Sequence, residues 1–385
     1  MAIPKSLGAG LRSFALPPRW VSLLPGTSRS FGPPRRLGLI REVVPLMGGK
    51  VWPLDQRLPV PQPHPRVYGT LSHELHADWP NEAVPASVFE LPDARLLGPD
   101  GGIVTANDTL LLDHSFWGWT RPPYPEKNRL YTRKRAQPVR RLEGRVLSLG
   151  TEFGLGSFGH LVHDGIIRLQ LILAAGQKLA DFDWIYLPRP QTPAVRELEA
   201  LLEFPPERIL NWDRRDLAVT QVTATSYPGQ VGRISVEGAS WIRDRAQACW
   251  GQGRKRRIYL TRRGYSRTLT NEPEIAGILG VHGFETIDPG RDAGVLAACA
   301  NAEIIAGVDG SNMANLAFAP AGALILEFMP PVAAPVSYHS SLAVSGGRHC
   351  AVVVGTDSAD PARPYLANFR LPPERLREAL ADYGS

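Results

Sequence analysis

Cysteine is scarce: Cys249, Cys299 and Cys350 are the only three in 385 residues. Their wide separation excludes a disulfide framework and a cysteine zinc site, and fits a reducing compartment. No run of about 18 apolar residues occurs, so no membrane-spanning helix is expected. Walker loops, His-Glu-x-x-His helices and Gly-x-Ser-x-Gly elbows are also missing, which removes the usual signatures of P-loop NTPases, zinc proteases and α/β-hydrolases. Asp and Glu are absent from the first 41 positions, which carry Lys5, Arg12, Arg19, Arg29, Arg35, Arg36 and Arg41. A secretory signal does not fit there, because Pro17, Pro18 and Pro25 interrupt every apolar stretch. Three readings stay open for this arm: a plain solvated segment, an organelle-targeting leader, or a contact with anionic lipid headgroups anchored by Trp20 and Leu23-Leu24.

What is present suits two domains. Hydrophobic residues make up 43% and charged residues 21%, enough apolar content for a sizeable core. The net charge of +6 permits an anionic partner without identifying one. Proline is uneven, with 20 of 36 in the first 150 residues, so long helices are not expected there. Leu58 to Pro65 reads as an extended connector. Gly102–Thr105 and Thr109–Leu112 read as a hairpin closed by Asn107-Asp108.

From about Arg145 apolar strands alternate with helical periodicity. Strands are expected at Val146–Leu149, Ile185–Leu187, Ile258–Leu260, Glu285–Ile287, Glu303–Ala306 and Ala323–Phe328. Helices are expected at His160–Ala175, Ala194–Leu202, 237–250, from Asn271 (with Glu274 completing a capping box), Gly294–Ala300 and Asn312–Phe318. That alternation predicts two parallel sheets covered on both faces, about 146–225 and 255–340.

Three segments carry candidate chemistry. Arg262, Arg263 and Arg267 follow the strand Ile258–Leu260, and ligands of open parallel sheets bind beyond such strand ends. Planar guanidiniums suit a diphosphate, whereas the upstream Arg254–Arg257 run reads as a solvated face. Gly307–Asn315 runs from a strand into a helix, so Gly310, Ser311 and Asn312 form an anion-accepting helix start, or else an ordinary capped turn. His160, Asp164 and Arg168 recur every four residues on one helix face. They could serve general-base chemistry or form a surface ion pair between Asp164 and Arg168; His163 lies among them.

Other signals are weaker. Gly154-x-Gly156-x-x-Gly159 reads as a turn, because no acidic residue follows at the end of the next strand. Asp181 and Asp183 precede their strand and read as structural. The seven basic residues between Arg129 and Arg145, near Trp117, Trp119, Tyr124 and Tyr131, read as a solvated run rather than a nucleic-acid surface.

In chain order these segments resemble glycosyltransferase family 61. His160, Asp164, Arg168 and Leu169 match its His-bearing segment. Thr261-Arg262-Arg263, Arg267 and Asn271-Glu272 match its Ser-Arg-Arg…Arg…Asn-Glu. Gly283-Phe284-Glu285, Gly307–Asn315 and Glu327 match the remainder. Departures are Thr261 for Ser, Asp309 for the loop His, Ser311 and Asn312 for Ala and Gly, and Ala314 for Thr.

The resemblance implies an α/β fold of GT-B type, two Rossmann-like lobes facing a cleft, with an irregular β-rich N-terminal part. The expected division is 1–45 arm, 46–235 acceptor lobe, 236–340 nucleotide-sugar lobe, and 341–385 packing back on the first lobe. It implies inverting transfer from a nucleotide-diphosphate sugar, usually UDP-linked, to a glycan hydroxyl. His160 and Asp164 would be catalytic. Arg262, Arg267, Gly310, Ser311 and Asn312 would bind the diphosphate. Asn271, Glu272, Asp309, Asn315 and Glu327 would bind nucleotide or sugar, and Arg168 and His163 would position acceptor or phosphate. No cofactor, metal or nucleic acid is expected. Similarity to bacterial capsule and surface-polysaccharide members implies a cytoplasmic enzyme, peripheral on the inner membrane, with a lipid-linked glycan as one form of acceptor. The alternative is a non-catalytic nucleotide-sugar- or glycan-binding protein on the same scaffold.

Overall fold

A computed structural model describes residues 34–58, 66–71, 85–115, 130, 137–227, 229–230, 233–331, 341, 344–356 and 367–383. The readings made on Trp20, Leu23-Leu24, most of the Pro-rich connector, Trp117, Trp119, Tyr124 and Tyr131 lie outside the described residues.

The strands before the glycine-rich turn are β1 (Arg36–Gly38), β2 (Lys50–Leu54), β3 (Arg66–Tyr68), β4 (Ala86–Leu97), β5 (Gly102–Val104), β6 (Thr109–Leu111) and β7 (Val139–Ser148). After it come β8 (Trp184–Tyr186), β9 (Ile209–Leu210) and β10 (Asp216–Thr225). All except β3 join one sheet ordered β1-β6-β5-β4-β10-β7-β8-β9, with β2 on β4. The expected hairpin is β5–β6, turned through Asp108 at φ 71°.

β10, β7, β8 and β9 pair in parallel, as do β1 and β6 at the other edge; β4 pairs antiparallel with β10, from Val88 opposite Thr225 to Leu96 opposite Leu217. The first sheet is therefore mixed rather than parallel, and the expected β-rich part before about 145 is continuous with it. It curls around Phe89, Leu91, Leu96, Ile103, Val146, Tyr186 and Val222. The curl brings the turn after β4 back over the end of β7: Tyr186 Oη donates to the Gly98 carbonyl at 2.7 Å, and a Cβ on Gly101 would sit 3.0 Å from Gly150 Cα.

The second sheet is parallel throughout. Its strands are β11 (Arg256–Leu260), β12 (Phe284–Ile287), β13 (Ala302–Val308), β14 (Leu324–Met329) and β15 (Arg348–Val353). Their order is β12-β11-β13-β14-β15, with β3 added beyond β15. The helices are α1 (Arg168–Ala174), α2 (Pro193–Leu201), α3 (Val236–Trp250), α4 (Glu272–Val281), α5 (Val295–Ala300) and α6 (Pro373–Tyr383). Ser311–Phe318 is 3-10 helix.

Side chains alternate across each strand, which splits the second sheet's burial in two. Ile258, Leu260, Ile305 and Ile325 face a layer containing Val162, Leu169, Ile172, Val195, Ile242, Leu296, Met313 and Leu316. Leu147, Ile185 and Leu187 of the first sheet reach the same layer. On the other face Tyr259, Ile304, Leu326 and Phe328 meet Ile275 of α4 and Leu376 and Leu380 of α6.

Two expected boundaries are corrected. The C-terminal segment packs on the second sheet, not the first, because β15 extends that sheet and α6 covers its outer face. β3, placed by sequence in the first lobe, pairs with β15. No described helix is long and apolar enough to cross a membrane.

A helical layer buried against both sheets should make them one cooperative unit. Leu296, with no exposed surface, tests this: Leu296→Ala should cost about 2–5 kcal/mol. Hydrogen exchange in β7 and β13 should rise together. Acceleration in β13 alone would show that the sheets unfold independently.

Candidate active site

The segment after β7 is a turn capped by Ser157. Its Oγ accepts from the His160 N–H at 3.4 Å, at the start of the Phe158–His160 helical turn. The chain then runs as π-helix over Leu161–Ile166 before α1, so the expected single helix has an extra residue inserted. Such π-turns concentrate at functional sites.

His160 Nδ1 lies 2.6 Å from Asp164 Oδ2. The ring is partly open to a cleft while the carboxylate is more enclosed, at 29% and 13% side-chain exposure. Burial is the largest single influence on His160 and opposes its protonation. The hydrogen bond and charge of Asp164, with Glu152 adding to the field, outweigh it, so the pKa stands above its ordinary 6.5.

Arg168 does not join this pair through its side chain as a surface ion pair would. It is fully buried; Nε donates to the Asp164 carbonyl at 2.6 Å, Nη1 lies 2.9 Å from His114 Nδ1, and the guanidinium lies 4.4 Å from the Tyr227 ring centre. Burial, then the charge of Arg168, pushes the His114 pKa down to about 3, keeping that ring neutral. Arg168 thus braces the π-turn from beneath. His163 is also buried, beside the Ala314 backbone, and its pKa is pushed down to about 4 chiefly by burial.

At the second sheet, the loops after β11 and β13 meet. Arg262 donates Nε and Nη2 to the Ser266 carbonyl at 3.2 and 3.0 Å, and Nη1 to Asn312 Oδ1 at 2.9 Å. Arg267 donates Nη1 to Asp309 Oδ2 at 3.0 Å. Its buried Nε has no acceptor among the described residues, and its backbone sits at φ 62°. A left-handed non-glycine residue is an uncommon, strained state that clusters at functional sites. Gly310 separates the two arginines at φ 146°, and a Cβ there would collide with the Arg262 guanidinium. Only glycine fits.

Ser311 joins the two halves. Its Oγ lies 3.0 Å from Ser157 Oγ and accepts from the Gly159 N–H at 2.9 Å. The expected open helix start is therefore a 3-10 turn covered by the His160 segment. The structure brings His160, Asp164, Arg262, Arg267, Asp309, Gly310, Ser311 and Asn312 to one junction.

The remaining predicted residues support it from behind. Asn315 is fully buried and donates to the Asn312 carbonyl at 2.7 Å. Glu272 accepts from Tyr259 Oη at 3.0 Å and Arg263 Nε at 3.1 Å, and also bonds Thr261 Oγ1. Asn271 does not make the expected capping box. Its amide brackets Leu371, accepting from the N–H at 3.1 Å and donating to the carbonyl at 2.9 Å. Glu327 is buried in β14, 2.9 Å from His349 Nε2. Asp181 and Asp183 are structural, accepting from the Lys178 and Arg145 backbone N–H groups at 2.7 and 2.8 Å.

Residues 158–326 match the family model described as glycosyltransferase 61. Over this stretch the chain is similar to glycosyltransferase family 61. The match begins at the turn bearing His160 and ends in β14, enclosing every residue of the junction except Ser157. That similarity supports glycosyltransferase activity. No curated protein gives a significant match to the chain.

Sequence reasoning missed Ser157 and Glu152. A serine before a helical turn is the signal that could have found Ser157. Glu152 carries no local signature.

The His160–Asp164 contact predicts a titration. The His160 midpoint, followed by NMR, should lie above 6.5, and Asp164→Asn should lower it. Because the folded pKa is raised, the contact stabilises fully below the unfolded value and loses that contribution as pH rises through the folded one. A midpoint unmoved by Asp164→Asn would disprove the coupling.

Proposed function

We propose that the protein is an inverting, metal-independent glycosyltransferase of GT-B type. In this reading it moves a sugar from a UDP-sugar to a glycan hydroxyl in polysaccharide synthesis. The observation that carries it is the convergence of Arg262 and Arg267 on Gly310, across a junction from the His160–Asp164 pair.

The chemistry follows from charge flow. An acceptor hydroxyl attacks the anomeric carbon as the bond from that carbon to the diphosphate oxygen breaks. His160 Nε2 takes the hydroxyl proton, and Asp164 stabilises the imidazolium through Nδ1–H. Attack opposite the leaving group inverts the centre. The departing diphosphate gains negative charge, which the two arginines stabilise from fixed positions, the role a metal fills elsewhere. Arg267 offers a buried donor without an acceptor among the described residues.

Asp309 stands where the resemblance places a histidine. A carboxylate beside a diphosphate is repulsive unless neutralised, and Arg267 supplies that neutralisation at 3.0 Å. Asp309 therefore competes with the donor for the same guanidinium. An intact His160–Asp164 pair favours turnover over the binding-only alternative. The basic N-terminal arm and the bacterial-type resemblance support a cytoplasmic enzyme at the inner face of a membrane, acting on a lipid-linked glycan.

Isothermal titration with UDP tests the donor half. Arg267→Lys keeps a charge for Asp309 but loses the planar fork, and should weaken UDP about tenfold. Asp309→Asn should strengthen it several-fold. Equal affinities across wild type and both variants would sink the diphosphate assignment. His160→Ala should abolish nucleotide release driven by acceptor while leaving UDP affinity intact.

A further inference from the structure

Beside His160 lies an open cleft of about 790 Å³, within the range of small-ligand sites. Its walls are the turn after β4 (Gly98–Asp100), the loop Phe153–Ser157 and Trp212 in the loop after β9. One end reaches Ser157, whose hydroxyl touches Ser311 next to Gly310. His160 thus lines this cleft, three residues from the Ser157–Ser311 contact.

We infer that this cleft is a saccharide subsite in which Phe153 and Trp212 stack against the apolar face of a pyranose ring. Phe153 is 42% exposed, is held at φ 67° and lies with its ring centre 5.1 Å from that of His160. A strained backbone that turns an aromatic ring outward beside a candidate base is hard to explain by core packing. Trp212 is fixed from behind. Its N–H donates to Asn211 Oδ1 at 2.9 Å, and Asn211 also holds Arg189 at both N–H and carbonyl, each at 3.1 Å. The indole Nε1–H has no acceptor among the described residues.

Charge selects the ligand class. Among the described residues the lining contains no Lys or Arg, and its acidic member, Asp100, is buried. A diphosphate meets no cation among these residues, whereas sugar hydroxyls can exchange hydrogen bonds with Gln137 and Ser157. Two aromatic walls with a few polar groups match a neutral ring that has one apolar face.

The inference deepens the transferase reading, and its test separates the two. Methyl glycopyranosides of the gluco, galacto, manno and xylo series, with the corresponding disaccharides, are titrated by NMR onto the full chain. At least one sugar should bind in the millimolar range. Trp212→Ala and Phe153→Ala should each weaken it about tenfold or more, Trp212→Phe should retain most of the affinity, and UDP affinity should stay within twofold. The saccharide subsite is overturned if no sugar of the panel binds. It is overturned equally if the alanine variants bind unchanged while folded by circular dichroism, or if octanoate occupies the cleft through the same residues and the sugars do not. Loss of UDP binding alone would strike the donor assignment and leave the cleft intact.

Discussion

One layer of helices is buried against two sheets, and that sharing dictates where the chemistry sits. Ile258, Leu260 and Ile305 from one sheet and Leu147, Ile185 and Leu187 from the other pack into the same apolar cluster. With the layer common, the loop leaving β7 and the loop leaving β13 arrive at one place. The Ser311 hydroxyl marks the meeting, within 3.0 Å of the Ser157 hydroxyl and 2.9 Å of the Gly159 nitrogen. Ligand sites of open parallel sheets lie beyond the carboxyl ends of the strands. Here two such ends face each other, so neither sheet alone would build the junction.

Electrostatic compensation at the junction is local. Arg262 is satisfied by the Ser266 carbonyl and Asn312, so its position is set before any ligand arrives. Glu272 roots the same loop through Tyr259, Thr261 and Arg263. Arg267 instead faces Asp309, a charge an anion must displace. On the opposite side Asp164 holds His160 by one nitrogen. Pre-set donors and an oriented imidazole are the arrangement that lowers reorganisation during reaction.

Much of the second sheet was legible in the sequence. Its strands are short apolar runs bounded by turn residues, and buried parallel strands have that appearance. The candidate residues His160, Asp164, Arg262 and Arg267 were legible because their types and strand-end positions carry chemistry. Strand partners were not. β4 pairs with β10 across more than 100 residues, and nothing in either segment's pattern specifies that choice. Arg168 has the periodicity of a surface residue. It lies in the interior because the inserted π-turn residue and the ring of Tyr227 give its charge a buried seat.

Residue chemistry and local periodicity, then, belong to the sequence alone: alternating strands and helices, glycine where φ must be positive beside Arg262, a histidine four residues before a carboxylate. Tertiary structure decided which strand ends meet, that Arg267 pairs with Asp309 while Arg168 is buried, and that Phe153 and Trp212 wall one cleft. These outcomes depend on contacts between residues far apart in the chain. Such contacts form only when apolar faces from distant segments are buried together, and no local pattern encodes the partner.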